Sequence, residues 1–176
     1  MKLPFSEMPV YEAETGRLNA IIETPKGVRN KYKYDPDSGL FKFSKMLPLG
    51  AAFPFDFGFI PSTQDDDGDP LDVMVLMEEP TFCGCLVTSR LVGVIEAEQT
   101  EKGKTMRNDR LIGVPENEQT VAKYHSLEEM DSEILDQIEH FFISYNQMEG
   151  KKFKPLRRCG PKTARELIEQ HIAEPV

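Results

Sequence analysis

The chain has 176 residues, of which 39% are hydrophobic and 29% charged, with 11 Phe, 5 Tyr and a formal net charge of −9. That length suits one domain spanning 1–176 and excludes two comfortable cores, while the aromatic content excludes wholesale disorder. The acidity, relieved only by the short clusters Lys151-Lys152 and Arg157-Arg158, argues against nucleic acid and anionic membrane as partners.

Residues 1–17, with Pro4, Pro9 and Gly16, read as an extended N-terminal lead. Leu18–Glu23 is an apolar strand ended by the turn Thr24-Pro25-Lys26-Gly27. Lys31–Asp35 and Leu40–Phe43 flank Pro36-Asp37-Ser38-Gly39, a hairpin turn. Residues 46–63, dense in Phe, Pro and Gly, read as an irregular packed segment. Leu71–Met77 is a strand, Leu86–Ala97 a long one, Glu101–Asn108 a charged loop and Asp109–Val114 a further strand. The period then changes. Ser126-Leu127-Glu128-Glu129 reads as a capping box, followed by Leu127, Met130, Ile134, Ile138, Phe141, Phe142 and Tyr145 at helical spacing up to Gly150. Pro161 opens a second helix with Ala164, Leu167, Ile168 and Ile172 on one face. Strands first and helices last predict an α+β fold: a small closed antiparallel β-barrel with C-terminal helices packed on it.

The cysteines, Cys83, Cys85 and Cys159, are odd in number and lack a second Cys/His pair, so they read as idle thiols rather than a disulfide frame or zinc site. His125, His140 and His171 show no ligand spacing. No charged-then-apolar leader opens the chain, and its apolar runs fall short of the roughly 18 residues of a membrane span, so the cytoplasm is the expected compartment.

The chemistry concentrates in Asp65-Asp66-Asp67-Gly68-Asp69-Pro70-Leu71-Asp72-Val73-Met74-Val75. Asp65 and Asp66 fit a solvated turn. Asp72 does not, because it lies inside a strand that looks buried, and an ionised carboxylate there costs several kcal/mol unless paired or metal-bound. Asp67 and Asp69 project to one side of an extended chain, and carboxylates crowded on so short a stretch suit a hard cation with oxygen ligands. An EF-hand is excluded: with Gly68 as its sixth residue, the first and twelfth positions are Thr63 and Met74. Lys31 and Lys33 share a strand face, Lys45 follows on the next strand and Arg110 starts another. Metal-binding carboxylates together with such cations are what a polyphosphate needs: the metals activate water and the cations neutralise the leaving group.

Asp67-Gly68-Asp69-Pro70-Leu71-Asp72-Val73 resembles the signature of the family I soluble inorganic pyrophosphatases. The similarity extends to Ile21-Ile22-Glu23-Thr24-Pro25, Asn30-Lys31-Tyr32, Phe53-Pro54, Phe57-Gly58-Phe59-Ile60-Pro61, Val92-Gly93-Val94, Leu111-Ile112-Gly113-Val114-Pro115 and Ile138-Glu139-His140-Phe141-Phe142 with Tyr145, covering roughly residues 18–155. The resemblance implies an oligonucleotide-binding-like barrel, several Mg²⁺ ions with Mn²⁺ as a substitute, pyrophosphate as substrate and a homo-oligomer, a hexamer in many bacteria. It implies that Asp67 and Asp72 ligate metals, that Glu23 lies at an outer metal, and that Asp69 takes the proton of the attacking water. Lys31, Lys45, Arg110 and Tyr145 would contact the phosphates.

Several positions depart from the family pattern. It usually has Tyr at Phe53 and Phe57, Glu at Lys33, Arg at Lys45 and Lys at Asn146. Its Asp-Glu pair after the long strand has Glu98 and Glu101 as candidates, Glu101 being the expected ligand. Its Asp-x-Lys becomes Asn108-Asp109-Arg110; Asp109 replaces the lost carboxylate only if a bulge rotates it inward. The expected activity is hydrolysis of pyrophosphate to two orthophosphates. The alternatives are a different phosphoanhydride substrate and a non-catalytic protein that binds metal-pyrophosphate.

Overall fold

The structure is a computed structural model that describes residues 4–117 and 123–173. The first three residues of the expected lead lie outside them. Nine strands run in chain order: β1 (Leu18–Thr24), β2 (Asn30–Asp35), β3 (Leu40–Met46), β4 (Asp56–Phe59), β5 (Asp72–Val75), β6 (Leu86–Glu101), β7 (Lys104–Arg107), β8 (Arg110–Val114) and β9 (Lys152–Cys159). Helix α1 spans Ser132–Met148 and helix α2 Pro161–Gln170.

Strands β1, β4, β5, β8 and β6 pair in that order, and β6 pairs back onto β1, closing a five-stranded ring. The expected barrel is therefore present. One of its pairings, β5 with β8, is parallel. The ring positions the site through β6, whose 16 residues pair first with β1 and β8 and then with β7 and β9. Alternate residues of each strand enter different cores, as a period of two demands. Met74, Ile95 and Ile112 join Phe57 of β4, Ile138 and Phe142 of α1 and Phe153 of β9, whereas Val73, Val94 and Leu111 join Leu18, Ile22, Ala164 and Ile168. Gly58 is required at the β1–β4 contact, where a Cβ would lie 1.8 Å from the Ile21 carbonyl oxygen.

Four local readings need correction. The Phe-rich segment contains β4, and the charged loop contains β7, paired with β6 across Glu98–Arg107 to Glu101–Lys104. The capping-box residues do not open α1: Ser126 accepts the Glu128 N–H at the head of a single 3₁₀ turn, and α1 starts after Asp131, which accepts the Glu133 N–H at 3.0 Å. The remaining omission is β9. It pairs with β6 only, and a register shift opposite Glu96 and Ala97 accommodates Pro155, which lacks an N–H to donate.

Candidate active site

A cleft of about 260 Å³ opens at the end of the barrel, between the β2–β3 hairpin, the turn before β5 and the C-terminal end of α1. Its walls differ in chemistry. One carries Glu23, Asp65, Asp67, Asp69 and Asp72; the other carries Gln99, Asn108, Arg110, Tyr145, Asn146, Glu149 and Lys151, with Lys31, Lys33 and Lys45 entering from the hairpin.

The acidic wall is shaped by its own backbone. The Asp69 N–H donates to Asp67 Oδ1 at 3.0 Å, and the Asp65 N–H to the Asp69 carbonyl at 2.7 Å, so the turn folds back with Gly68 at a φ of +88°. Asp72 enters the cleft at the head of β5. Burial pushes its carboxyl above the usual range, opposed by the Arg110 guanidinium, whose Nη1 lies 2.6 Å from Asp72 Oδ2. Glu23, on β1, accepts the Tyr34 N–H at 2.7 Å; burial raises its pKa to about 7. Asp65, expected to be a solvated turn residue, lines the cleft, and burial raises its pKa too.

The cationic wall is stacked on aromatic rings. The Arg110 guanidinium is buried over Phe142 at 4.7 Å and Phe153 at 5.4 Å, and its Nε has no hydrogen-bond partner. Lys31 donates to the Tyr145 phenol oxygen at 3.1 Å and lies over the Phe57 ring at 5.7 Å. Lys45 lies over the Tyr145 ring at 5.0 Å and pairs with Glu149.

Eight of the ten expected site residues, Glu23, Lys31, Lys45, Asp67, Asp69, Asp72, Arg110 and Tyr145, meet in this cleft. Two do not. Glu101 sits at the exposed tip of the β6–β7 hairpin, 3.4 Å from Lys151, because β6 runs past the expected loop and presents Gln99 to the cleft instead. Asp109 points away from it: strand alternation puts Asn108 and Arg110 in the cleft and buries Asp109 between the Ala97 N–H and the Arg107 guanidinium, both at 2.8 Å. Sequence reasoning missed Gln99, Glu149 and Lys151. No local motif marks them: Gln99 lies on β6, Glu149 caps α1 and Lys151 sits between α1 and β9.

The cleft lining contains no thiol or imidazole, so its donors are hard oxygens that suit a divalent cation of the Mg²⁺ type. That fit is confined to the acidic wall. Beside it, Asn108 Nδ2 donates to Gln99 Oε1 at 2.7 Å and Asn108 Oδ1 accepts from Arg110, so this amide pair contributes no charge and is tied into the cationic side.

The sequence model of the family described as inorganic pyrophosphatase matches residues 20–175. The chain belongs to the inorganic pyrophosphatase family. A protein of Synechocystis sp. named inorganic pyrophosphatase is 37% identical over 149 residues, covering 85% of each chain. One from Methanosarcina acetivorans is 40% identical over 133 residues, 76% of this chain and 77% of that one. The crystal structure of inorganic pyrophosphatase from Thermus thermophilus superposes with a TM-score of 0.87 at 34% identity, covering 97% of each chain. This bears out the family I resemblance. The family implies a divalent metal cofactor and a pyrophosphate substrate. Among the described residues, no helix is long and apolar enough to cross a membrane.

Proposed function

We propose that this chain hydrolyses inorganic pyrophosphate to two orthophosphates. The observation that carries the reading is that Asp67, Asp69 and Asp72 line one cleft together with Lys31, Lys45 and Arg110. Asp67 and Asp72, with Glu23 at an outer position, would hold several divalent cations, Mg²⁺ with Mn²⁺ as substitute, which when bound would polarise phosphate oxygens and make water acidic. Asp69 accepts the proton of the attacking water. The water oxygen bonds to one phosphorus, the P–O–P bridge breaks, and the electron pair leaves with the second phosphate. Arg110, Lys31, Lys45 and the Tyr145 phenol receive that charge. Arg110 is anchored for this by Asp72 and two rings, and its unpartnered Nε is a donor that a phosphate oxygen would satisfy. The whole chain acts as one domain, in a cytoplasmic homo-oligomer. Sedimentation would report the assembly.

Orthophosphate release from pyrophosphate, tripolyphosphate and ATP, with and without Mg²⁺, tests this. Pyrophosphate should be preferred and chelation should abolish turnover. Asp69→Asn should lower kcat by roughly 10²–10⁴-fold, the usual worth of a positioned base. A longer phosphoanhydride is the second reading. It is favoured by an adjoining cavity of about 440 Å³ that shares Glu23, Lys33, Ser44, Phe59, Asp69 and Pro70 with the cleft. Binding of pyrophosphate without release under any metal would leave a non-catalytic binding protein.

A further inference from the structure

Lys33 has no role in the chemistry above, yet it makes the closest contact to the proposed base. Its ammonium nitrogen lies 2.6 Å from Asp69 Oδ2. Both side chains are about half exposed, 50% and 53%, so the pair is not locked by burial and exchanges partners at little cost. Strand alternation sends Lys31 and Lys33 to the same side of β2, Lys31 to Tyr145 and Lys33 to the acidic turn. Lys33 also stands where the cleft meets the adjoining cavity, since it lines both.

Charge balance gives this contact its meaning. Six carboxylates line the cleft (Glu23, Asp65, Asp67, Asp69, Asp72 and Glu149), and five cations already face them (Lys31, Lys33, Lys45, Arg110 and Lys151). Asp72 is held by Arg110, Glu149 by Lys45 and Asp69 by Lys33. The Gln99–Asn108 amide pair, which also lines the cleft, offers no charge, and its two members are bonded to each other and to Arg110. A divalent cation entering the cleft meets an ammonium wherever it approaches Asp69, and two cations on one carboxylate repel each other.

We propose that Lys33 is an internal cation: it occupies Asp69 in place of a divalent ion, and it transfers to a phosphate oxygen of the substrate when one enters. Asp69 is then freed as a base in step with substrate entry, and the chain holds fewer divalent ions than its carboxylates would suggest. What the exchange requires is a positive charge on a long, flexible stem, here an ammonium on four methylenes. The proposal rests on the reading of the cleft as a pyrophosphate site, but its test involves no turnover.

The test is equilibrium binding to the whole chain. Mn²⁺ is titrated into metal-free wild type, Lys33→Gln and Lys33→Arg, with free Mn²⁺ followed by electron paramagnetic resonance. Methylenebisphosphonate, a non-hydrolysable pyrophosphate mimic, is titrated in chelator by calorimetry. Lys33→Gln should bind one additional Mn²⁺ per chain, or bind Mn²⁺ at least about tenfold tighter, and should bind the bisphosphonate at least about tenfold more weakly. Lys33→Arg, which keeps the charge, should resemble wild type in both titrations. Circular dichroism confirms folding of each variant. Superimposable Mn²⁺ isotherms for wild type and Lys33→Gln, or an undiminished bisphosphonate affinity, would overturn the proposal. Loss of hydrolysis by the wild type would count against the pyrophosphatase reading and leave these isotherms interpretable.

Discussion

The ammonium of Lys31 reaches the phenol oxygen of Tyr145 at 3.1 Å, joining the β2–β3 hairpin to the last turns of α1. The two elements share no strand pairing, so this contact and the neighbouring Lys45–Glu149 pair hold the cleft's mouth together. Burial alone would raise the phenol's pKa; Lys31 and Lys45 outweigh it and bring it below the ordinary value of 10.0. Ultraviolet difference titration should therefore find one tyrosine ionising earlier than a free phenol. That early component should disappear in Tyr145→Phe and move to higher pH in Lys31→Met, which removes one of the two cations.

Glu23 should make metal-free stability fall with rising pH. Its folded pKa, about 7, lies above the ordinary value of 4.5, so the folded state holds the proton more tightly. The resulting stabilisation is fully present below about pH 4.5 and is lost as pH rises to about 7. In urea melts with chelator present, Glu23→Gln should remove this slope and be more stable than wild type above pH 7 by about 2–3 kcal/mol.

Removing Arg110 leaves Asp72 without its closest cation. Arg110→Met should cost about 2 kcal/mol in chelator, less than a fully buried pair because the Asp72 side chain is 30% exposed. Combining it with Asp72→Asn should recover part of that loss, since the lone charge is gone. A double-mutant cycle in urea measures the coupling, and purely additive losses would count against the pairing.

Asp56 stabilises a different part of the fold. It is fully buried at the start of β4 and accepts the Lys26 N–H at 2.7 Å, the Thr81 N–H at 2.9 Å and the Thr81 hydroxyl at 2.6 Å. Asp56→Ala strands all three donors and should cost about 3 kcal/mol without altering the cleft directly. Urea denaturation alongside a Mn²⁺ titration separates these two effects.

The acidic turn was legible because its carboxylates are adjacent in sequence, and the barrel because its apolar strands alternate or run continuously. What stayed hidden was whatever depends on pairing partners distant in the chain. Lys104–Arg107 has Met106 as its single apolar residue, so it carries no strand period; it becomes β7 because β6 extends beside it. Lys152–Cys159 contains Pro155, which argues against a strand until the register shift opposite Glu96 is seen. The same hidden pairing misplaced two ligands. Glu101 lost its place when β6 ran on to a hairpin tip, and Asp109 when alternation turned Asn108 inward.

The architecture of β6 also imposes an order of assembly during synthesis. The acidic turn and the lysines of the β2–β3 hairpin are complete once the ribosome has passed Asp72, but the rest of the lining arrives with β6, β8, α1 and finally Lys151, just before β9. A nascent chain that has reached only the middle of α1 carries Lys31, Lys33, Lys45 and Arg110 but not Tyr145, Glu149 or Lys151, so the aromatic and ionic contacts that seat Lys31 and Lys45 are missing. The finished pocket is therefore one of the last features the emerging polypeptide acquires.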